Sequence, residues 1–267
     1  MSKAVFFDID GTLINIHNNQ TRMSTAVRSA IHDLRAAGHH TFIATGRPWA
    51  YLSPELTESG LFDGFIVMNG AAVLLEGKVI YQKPLPMETV KQIIAIAEQH
   101  QIEYILEGYP KVYLKEEYKG LEEVYRAIDI DIDRFVRDYT LDKISVSKME
   151  FLCDTAGANG VFKQLLGWPG LTGLIDPTLL KYMELYAADI SKGTGILEAL
   201  RYLDIPTVDS YAFGDGLNDI EMMETAGHSL VMGNAGRELK ARAEHVLPTV
   251  DEDGVAEGIN RYILKRL

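Results

Sequence analysis

The chain alternates short unbroken apolar runs with amphipathic stretches. Residues 3–7 form the first run and end in acids and Gly11, the pattern of a buried parallel strand whose C-terminal end opens into a loop. A helix is expected next. Ser24 stands where an N-cap belongs, apolar residues recur at Ala26, Val27, Ala30, Ile31 and Leu34, and Gly38 closes the segment. A second buried strand over 40–44 ends in Thr45-Gly46-Arg47. After Pro48 a helical stretch leads to a third strand, 64–68, then to Asn69-Gly70 and a hairpin through 71–75 and 78–82.

From Pro84 the texture changes. Helices over 87–100, 116–127 and 155–166 interleave with short strands over 102–106, 144–149 and 171–175. The first pattern then resumes: a strand over 181–186 leads into Ser191-Lys192-Gly193 and a helix to 203. A buried strand over 210–213 follows, ending in Gly214-Asp215-Gly216-Leu217-Asn218-Asp219. Short elements at 229–232 and 245–247 and a helix from 255 complete the chain. The predicted architecture is α/β: a doubly wound, Rossmann-like parallel-sheet core of residues 1–83 and 188–267, interrupted by an α+β cap of residues 84–187.

Composition narrows the function classes. With 267 residues, 47% of them hydrophobic and 24% charged, the chain suits one core with a large insertion. The 38 acidic against 26 basic residues give a formal charge of −12, which disfavours nucleic acid and anionic membrane as partners. A small phosphorylated substrate stays compatible, because a few backbone N–H groups, one Lys and a divalent metal reverse the field inside a single cleft. Cys153 is the sole cysteine, so an intrachain disulfide and a Cys-based zinc site are excluded, which fits a reducing compartment. Acids at Asp8 and Asp10 break the N-terminal apolar run, unlike a signal peptide, and no stretch reaches membrane-spanning length. A soluble cytoplasmic protein, monomeric or weakly dimeric, is expected.

Three of four chemical signals sit at predicted strand ends, where ligands of open parallel sheets bind. Asp8 and Asp10 share a face of an extended chain, so their carboxylates should be close. A divalent cation can hold the first as an anion, while the second keeps a proton and serves as general acid and then base. Thr45 and the Gly46 backbone make an anion-accepting corner. Lys192 can offset charge on a nucleophile and a transferring group. Asp215, Asn218 and Asp219 offer hard oxygen ligands that suit Mg²⁺ better than Zn²⁺, with Asn218 and Asp219 also fitting a helix cap. Other spellings fail. Asp129, Asp131 and Asp133 open like a calcium loop, but Arg134 and Thr140 stand where Gly and Glu are needed, and Asp251-Glu252-Asp253-Gly254 reads as a turn capping the last helix.

The signals DIDGT, TGR, SKG and FGDGLNDIEM, with MNGA at 68–71 and DEDGV at 251–255, closely resemble the haloacid dehalogenase-like hydrolase superfamily. The large insertion between the second and third points to its Cof-type phosphatases of subclass IIB. That resemblance implies Asp8 as nucleophile and Asp10 as acid/base. It places Thr45, Gly46, Lys192 and Asn218 around the phosphoryl group, and Mg²⁺ on Asp8, the Asp10 backbone carbonyl and Asp215, with Asp219 supporting the metal through water. Dehalogenases of the superfamily lack the second Asp, so Asp10 favours phosphoryl chemistry. A cap of this kind implies small phosphate monoesters, sugar phosphates first. Phosphorylated cofactors such as flavin mononucleotide or pyridoxal phosphate come next, an option that Tyr104, Tyr109, Tyr113 and Tyr182 keep open. A phosphohexomutase and a non-catalytic ligand-binding relative are the rivals.

Overall fold

The computed structural model describes residues 2–15, 18, 20–128, 130–153, 158–176 and 181–266. By its contacts the chain divides into two compact units. One holds residues 1–46, 53–82 and 191–267; the other holds 83–190 and the short segment 47–52.

The first unit is built on an eight-stranded sheet. In chain order its strands are β1 (Ala4–Phe7), β2 (His40–Ala44), β3 (Gly64–Val67), β4 (Ala72–Leu75) and β5 (Lys78–Gln82). β6 to β10 belong to the second unit, and β11 (Ser210–Gly214), β12 (His228–Val231) and β13 (His245–Val246) complete the first. The spatial order is β13-β12-β11-β1-β2-β3-β4-β5, parallel from β13 to β3 and antiparallel through the β3-β4-β5 meander. The apolar runs arise because the central strands are covered on both faces. Phe6 stacks on Phe42 at 5.1 Å, Phe7 on Phe213 at 4.9 Å, and all four rings are fully buried. Each such side chain contributes about 1.5–3 kcal/mol.

The helices are α1 (Thr25–Ala36), α2 (Pro54–Thr57), α3 (Met87–Gln99), α4 (Lys119–Ala127), α5 (Ala158–Leu166), α6 (Lys192–Leu203), α7 (Ile220–Thr225), α8 (Arg237–Lys240) and α9 (Gly254–Gly258), the last continuing as a π-helical turn. Ser24 caps α1 as expected, accepting from Val27 N–H, and its hydroxyl also donates to Asp253 at 2.5 Å. The reading of Asp251 to Gly254 as a turn capping the last helix holds: a 3-10 turn over Val250–Glu252 leads to Asp253, the N-cap of α9, whose carbonyl accepts from Glu257 N–H, while the Asp253 side chain makes no cap bond and Asp251 accepts from the amides of Asn15 and Asn18. These acids tie the loop after β1 to the C-terminal segment. Ser24→Ala removes both bonds of that hydroxyl and is expected to cost about 1–2 kcal/mol in urea unfolding; an unchanged midpoint would show the link idle.

In the second unit β6 (Glu103–Glu107), β7 (Val112–Leu114), β8 (Lys148–Leu152), β9 (Leu171–Ile175) and β10 (Tyr182–Ala187) form a sheet in the order β7-β6-β8-β10-β9. Two expectations need correcting. The strand expected over 144–149 lies at Lys148–Leu152, and β7 was not anticipated. For β8 the reason is an inward-facing charge cluster: Lys148 pairs with Glu150 at 2.7 Å, Glu184 at 3.1 Å and Glu107 at 3.6 Å, and Tyr125 donates to Glu150. Around it Ile105, Val112, Leu114 and Leu152 pack with Leu121, Phe135 and Tyr51. The helix expected from 155 is described from Ala158, and Asp129 and Thr155 lie outside the described residues. Among the described residues no helix is long and apolar enough to cross a membrane.

Candidate active site

Strands β11, β1, β2 and β3 are parallel neighbours, so the residues leaving their C-terminal ends emerge side by side. Asp8 follows β1 and stays registered through its N–H to the Phe213 carbonyl at 2.9 Å; Thr45 follows β2 and donates to Ile66 at 2.9 Å. Both are buried, Asp8 at 6% and Thr45 at 1% exposure. Lys192 is the first residue of α6, whose N-cap Ser191 exchanges hydrogen bonds with Thr194 in a capping box. That cap aims the buried ammonium at two carboxylates: Lys192 Nζ lies 2.6 Å from Asp8 Oδ1 and 2.6 Å from Asp219 Oδ1.

Asp219 is fully buried. Its other oxygen accepts from the N–H groups of Asp215 and Gly216, both at 2.9 Å, so its carboxylate shapes the loop after β11 rather than capping α7. Asp215 is gripped from two sides, by the Thr12 hydroxyl at 3.0 Å and by the Asn234 amide at 3.1 Å. The Asn234 amide also donates to the Gly11 carbonyl at 2.8 Å, and its oxygen accepts from Val250 N–H at 2.9 Å. Gly11 is indispensable here: its φ is +83°, and a Cβ would lie 2.1 Å from Asp215 Oδ2. Gly11→Ala is therefore expected to weaken Mg²⁺ binding at least tenfold by calorimetry, and wild-type affinity would show that the loop yields.

Asp8, Asp215 and Asp219 each offer a carboxylate oxygen, all within 4.8 Å of one another. Burial pushes the Asp8 carboxyl up to about 8; the Lys192 ammonium opposes this, and the charges of Asp219 and Asp10 add to it. Burial, then the Asp219 charge, lifts Asp215 to about 6. Burial lowers Lys192, but its two carboxylate partners more than reverse that, and the amine stays protonated. The pocket thus gathers more carboxyl groups than the Lys192 ammonium can keep ionised, all offering hard oxygens. A divalent cation of the Mg²⁺ type fits this donor set.

A pH dependence follows. The unfolded carboxyls titrate near pH 4. Between about pH 4 and 8 Asp8 and Asp215 bind more protons in the folded, metal-free protein than in the unfolded chain, so their contribution to stability falls as pH rises through that window. Mg²⁺ competes with those protons and should raise the melting temperature more at pH 8 than at pH 5. Melts in EDTA and in Mg²⁺ check this, and an equal gain at both pH values would contradict it.

The phosphate-corner residues also converge. A Cβ on Gly46 would sit 2.9 Å from Asn69 Oδ1 and 3.7 Å from Asn218 Nδ2. Asn69 and Asn234 were not singled out as site residues. Each follows a buried strand within a few positions, the one signal that could have marked it. Of the tyrosines, Tyr104 is 2% exposed and donates to Glu98, so it serves the packing of its own unit, whereas Tyr109 and Tyr113 stay half-buried.

A profile of the haloacid dehalogenase-like hydrolase family matches residues 5–259. The chain belongs to this family. The fold agrees with that membership, an α/β Rossmann-like core carrying an inserted cap of the subclass IIB kind, and the activity class is hydrolysis of phosphoric monoesters. The chain is 32% identical to the putative phosphatase YkrA of Bacillus subtilis over 264 residues, 97% of this chain and 96% of that protein. It is 25% identical to YitU of the same organism, a 5-amino-6-(5-phospho-D-ribitylamino)uracil phosphatase, over 97% of this chain and 96% of the relative. Among solved structures, the subclass IIB sugar phosphatase BT4131 superposes with a TM-score of 0.82 at 29% identity, over 98% of this chain and 99% of that one.

Proposed function

We propose that this hydrolase transfers the phosphoryl group of a small monoester to Asp8 and then to water, with Asp10 as the proton carrier. The observation that carries the reading is the ammonium of Lys192 shared between Asp8 and Asp219, with the Asp215 carboxylate inside the same cluster. Such a set keeps Asp8 in place and offsets the charge of an incoming phosphoryl group.

In the first step an Asp8 oxygen attacks phosphorus while the bond from phosphorus to the leaving oxygen breaks, and Asp10 delivers its proton to that oxygen. In the second, Asp10 takes a proton from water, whose oxygen attacks the same phosphorus; the aspartyl phosphate cleaves, releasing orthophosphate and restoring the Asp8 carboxylate. Thr45, Gly46 and Asn218 orient the non-bridging oxygens. Asp219 holds Lys192 and the loop of Asp215 in place, from where it would support a bound metal. Mg²⁺, held by Asp8, the Asp10 carbonyl and Asp215, would supply charge neutralisation between nucleophile and phosphoryl oxygen.

For the substrate, the relatives favour a phosphorylated cofactor or cofactor precursor, a phosphate at the end of a hydroxylated chain bearing a heterocycle, as YitU's name describes. Sugar phosphates are the second reading, supported by the likeness to the sugar phosphatase BT4131. A panel of phosphate monoesters with Mg²⁺ decides. We expect the highest kcat/KM in the cofactor class with one orthophosphate released per turnover; a hexose phosphate in first place would transfer the assignment to the second reading. Accumulation of an isomeric phosphate with little orthophosphate would indicate a mutase, and no hydrolysis even of an aryl phosphate would leave a binding protein.

A further inference from the structure

We propose that the carboxamide of Asn69 is a direct contact for the phosphoryl group of the substrate. This rests on the reading of Thr45 and Gly46 as the phosphoryl corner.

Beyond the end of β3 the chain takes three consecutive left-handed residues, Met68, Asn69 and Gly70, with φ of +52°, +55° and +102°. Two of them carry side chains, a conformation that costs free energy and collects where a site demands it. The turn is fixed at both ends. Asn69 N–H donates to the Thr45 carbonyl at 3.1 Å, and Gly70 packs so closely on Ser191 that a Cβ would come 2.1 Å from its carbonyl oxygen. Asn69 is thereby wedged between the strand end that bears Thr45 and the cap of the helix that bears Lys192.

Its side chain gets nothing in return from the protein. Asn69 is 4% exposed, and its Oδ1 finds no hydrogen-bond partner among the described residues. A buried amide oxygen left without a partner is unfavourable and calls for an explanation. Its place supplies one, because Oδ1 sits beside the open face of Gly46, on the side where the Asn218 amide also lies. With no donor holding Oδ1, a half-turn of the carboxamide exchanges it for Nδ2 without changing shape, and the group then presents an N–H to an anion.

Inorganic phosphate is the probe, as a competitive inhibitor of aryl phosphate hydrolysis in Mg²⁺. Asn69→Gly keeps the left-handed backbone and removes only the carboxamide. Asn69→Asp keeps shape and backbone but sets a carboxylate against the phosphate. The inhibition constant should rise about tenfold in the first, as for loss of one hydrogen bond to a charged group, and further in the second, with melting temperatures near wild type. An inhibition constant and KM unchanged in Asn69→Gly, with or without a lower melting temperature, would overturn the proposal and leave Asn69 a backbone device. Asp8→Asn, assayed alongside, separates the two levels. If that variant still turns over, or if phosphate fails to inhibit the wild type, the corner itself is misread and Asn69 falls with it. If Asp8→Asn is inert and Asn69→Gly binds phosphate normally, only the Asn69 contact falls.

Discussion

Asp8→Asn should lower kcat/KM by about 10⁴-fold or more, since it removes the atom that bonds to phosphorus and no neighbour stands in its place. The protein should nevertheless fold. Lys192 keeps Asp219 at 2.6 Å, so the ammonium is not stranded. At pH 8 in EDTA the variant should melt no lower than wild type, because the amide carries no charge to bury where burial holds the Asp8 carboxyl up to about 8. Brief incubation with a ³²P-labelled substrate, acid quenching and counting of protein-bound label should reveal an acyl phosphate in the wild type and none in the variant. Near-normal Mg²⁺-dependent hydrolysis by Asp8→Asn would remove Asp8 from the nucleophile's role and the mechanism with it.

The second large effect lies away from the chemistry. Lys148 is 1% exposed amid Glu107, Glu150 and Glu184, and burial, then the neighbouring charge of Glu150, holds the Glu107 carboxyl well above the usual range. Lys148→Met leaves buried carboxyls without their cation and should destabilise the protein by about 3–5 kcal/mol. Adding Glu150→Gln should recover part of the loss, and lowering the pH should recover more as the carboxyls take up protons. Urea unfolding of the single and double variants measures both. A cost below about 1 kcal/mol would mean that the cluster neutralises itself by protonation alone.

The same cluster explains where the chain was hard to read. Strand β2 coincides with the run that predicts it, because a central strand is covered on both faces and its side chains are buried almost throughout. Strand β8 breaks that logic: Lys148 and Glu150 point inward, and a reading in which charge marks solvent displaces the strand toward Ile144 and Val146. Strand β7 is three residues between Lys111 and Lys115, too short to show alternation. At the candidate site, Asp8 and Asp215 stood out because acids following a buried strand have little structural reason to be there. Asn69 did not, since an Asn before a Gly reads as turn chemistry, and only the φ values and the orphaned oxygen separate it from an ordinary turn. Asn234 binds through an amide to three distant segments, a relationship no local pattern encodes.

Every candidate site group belongs to one unit, yet the chain leaves that unit after Gln82 and re-enters it at Ser191, one residue before the ammonium. The intervening stretch can therefore be lengthened or rewritten without touching those groups, provided it still packs on Tyr51 and its neighbours in residues 47–52. The seam has one strict edge. A replacement that ends at Ile190 leaves the site groups in place, and one that runs two residues further would remove the lysine that Asp8 and Asp219 share.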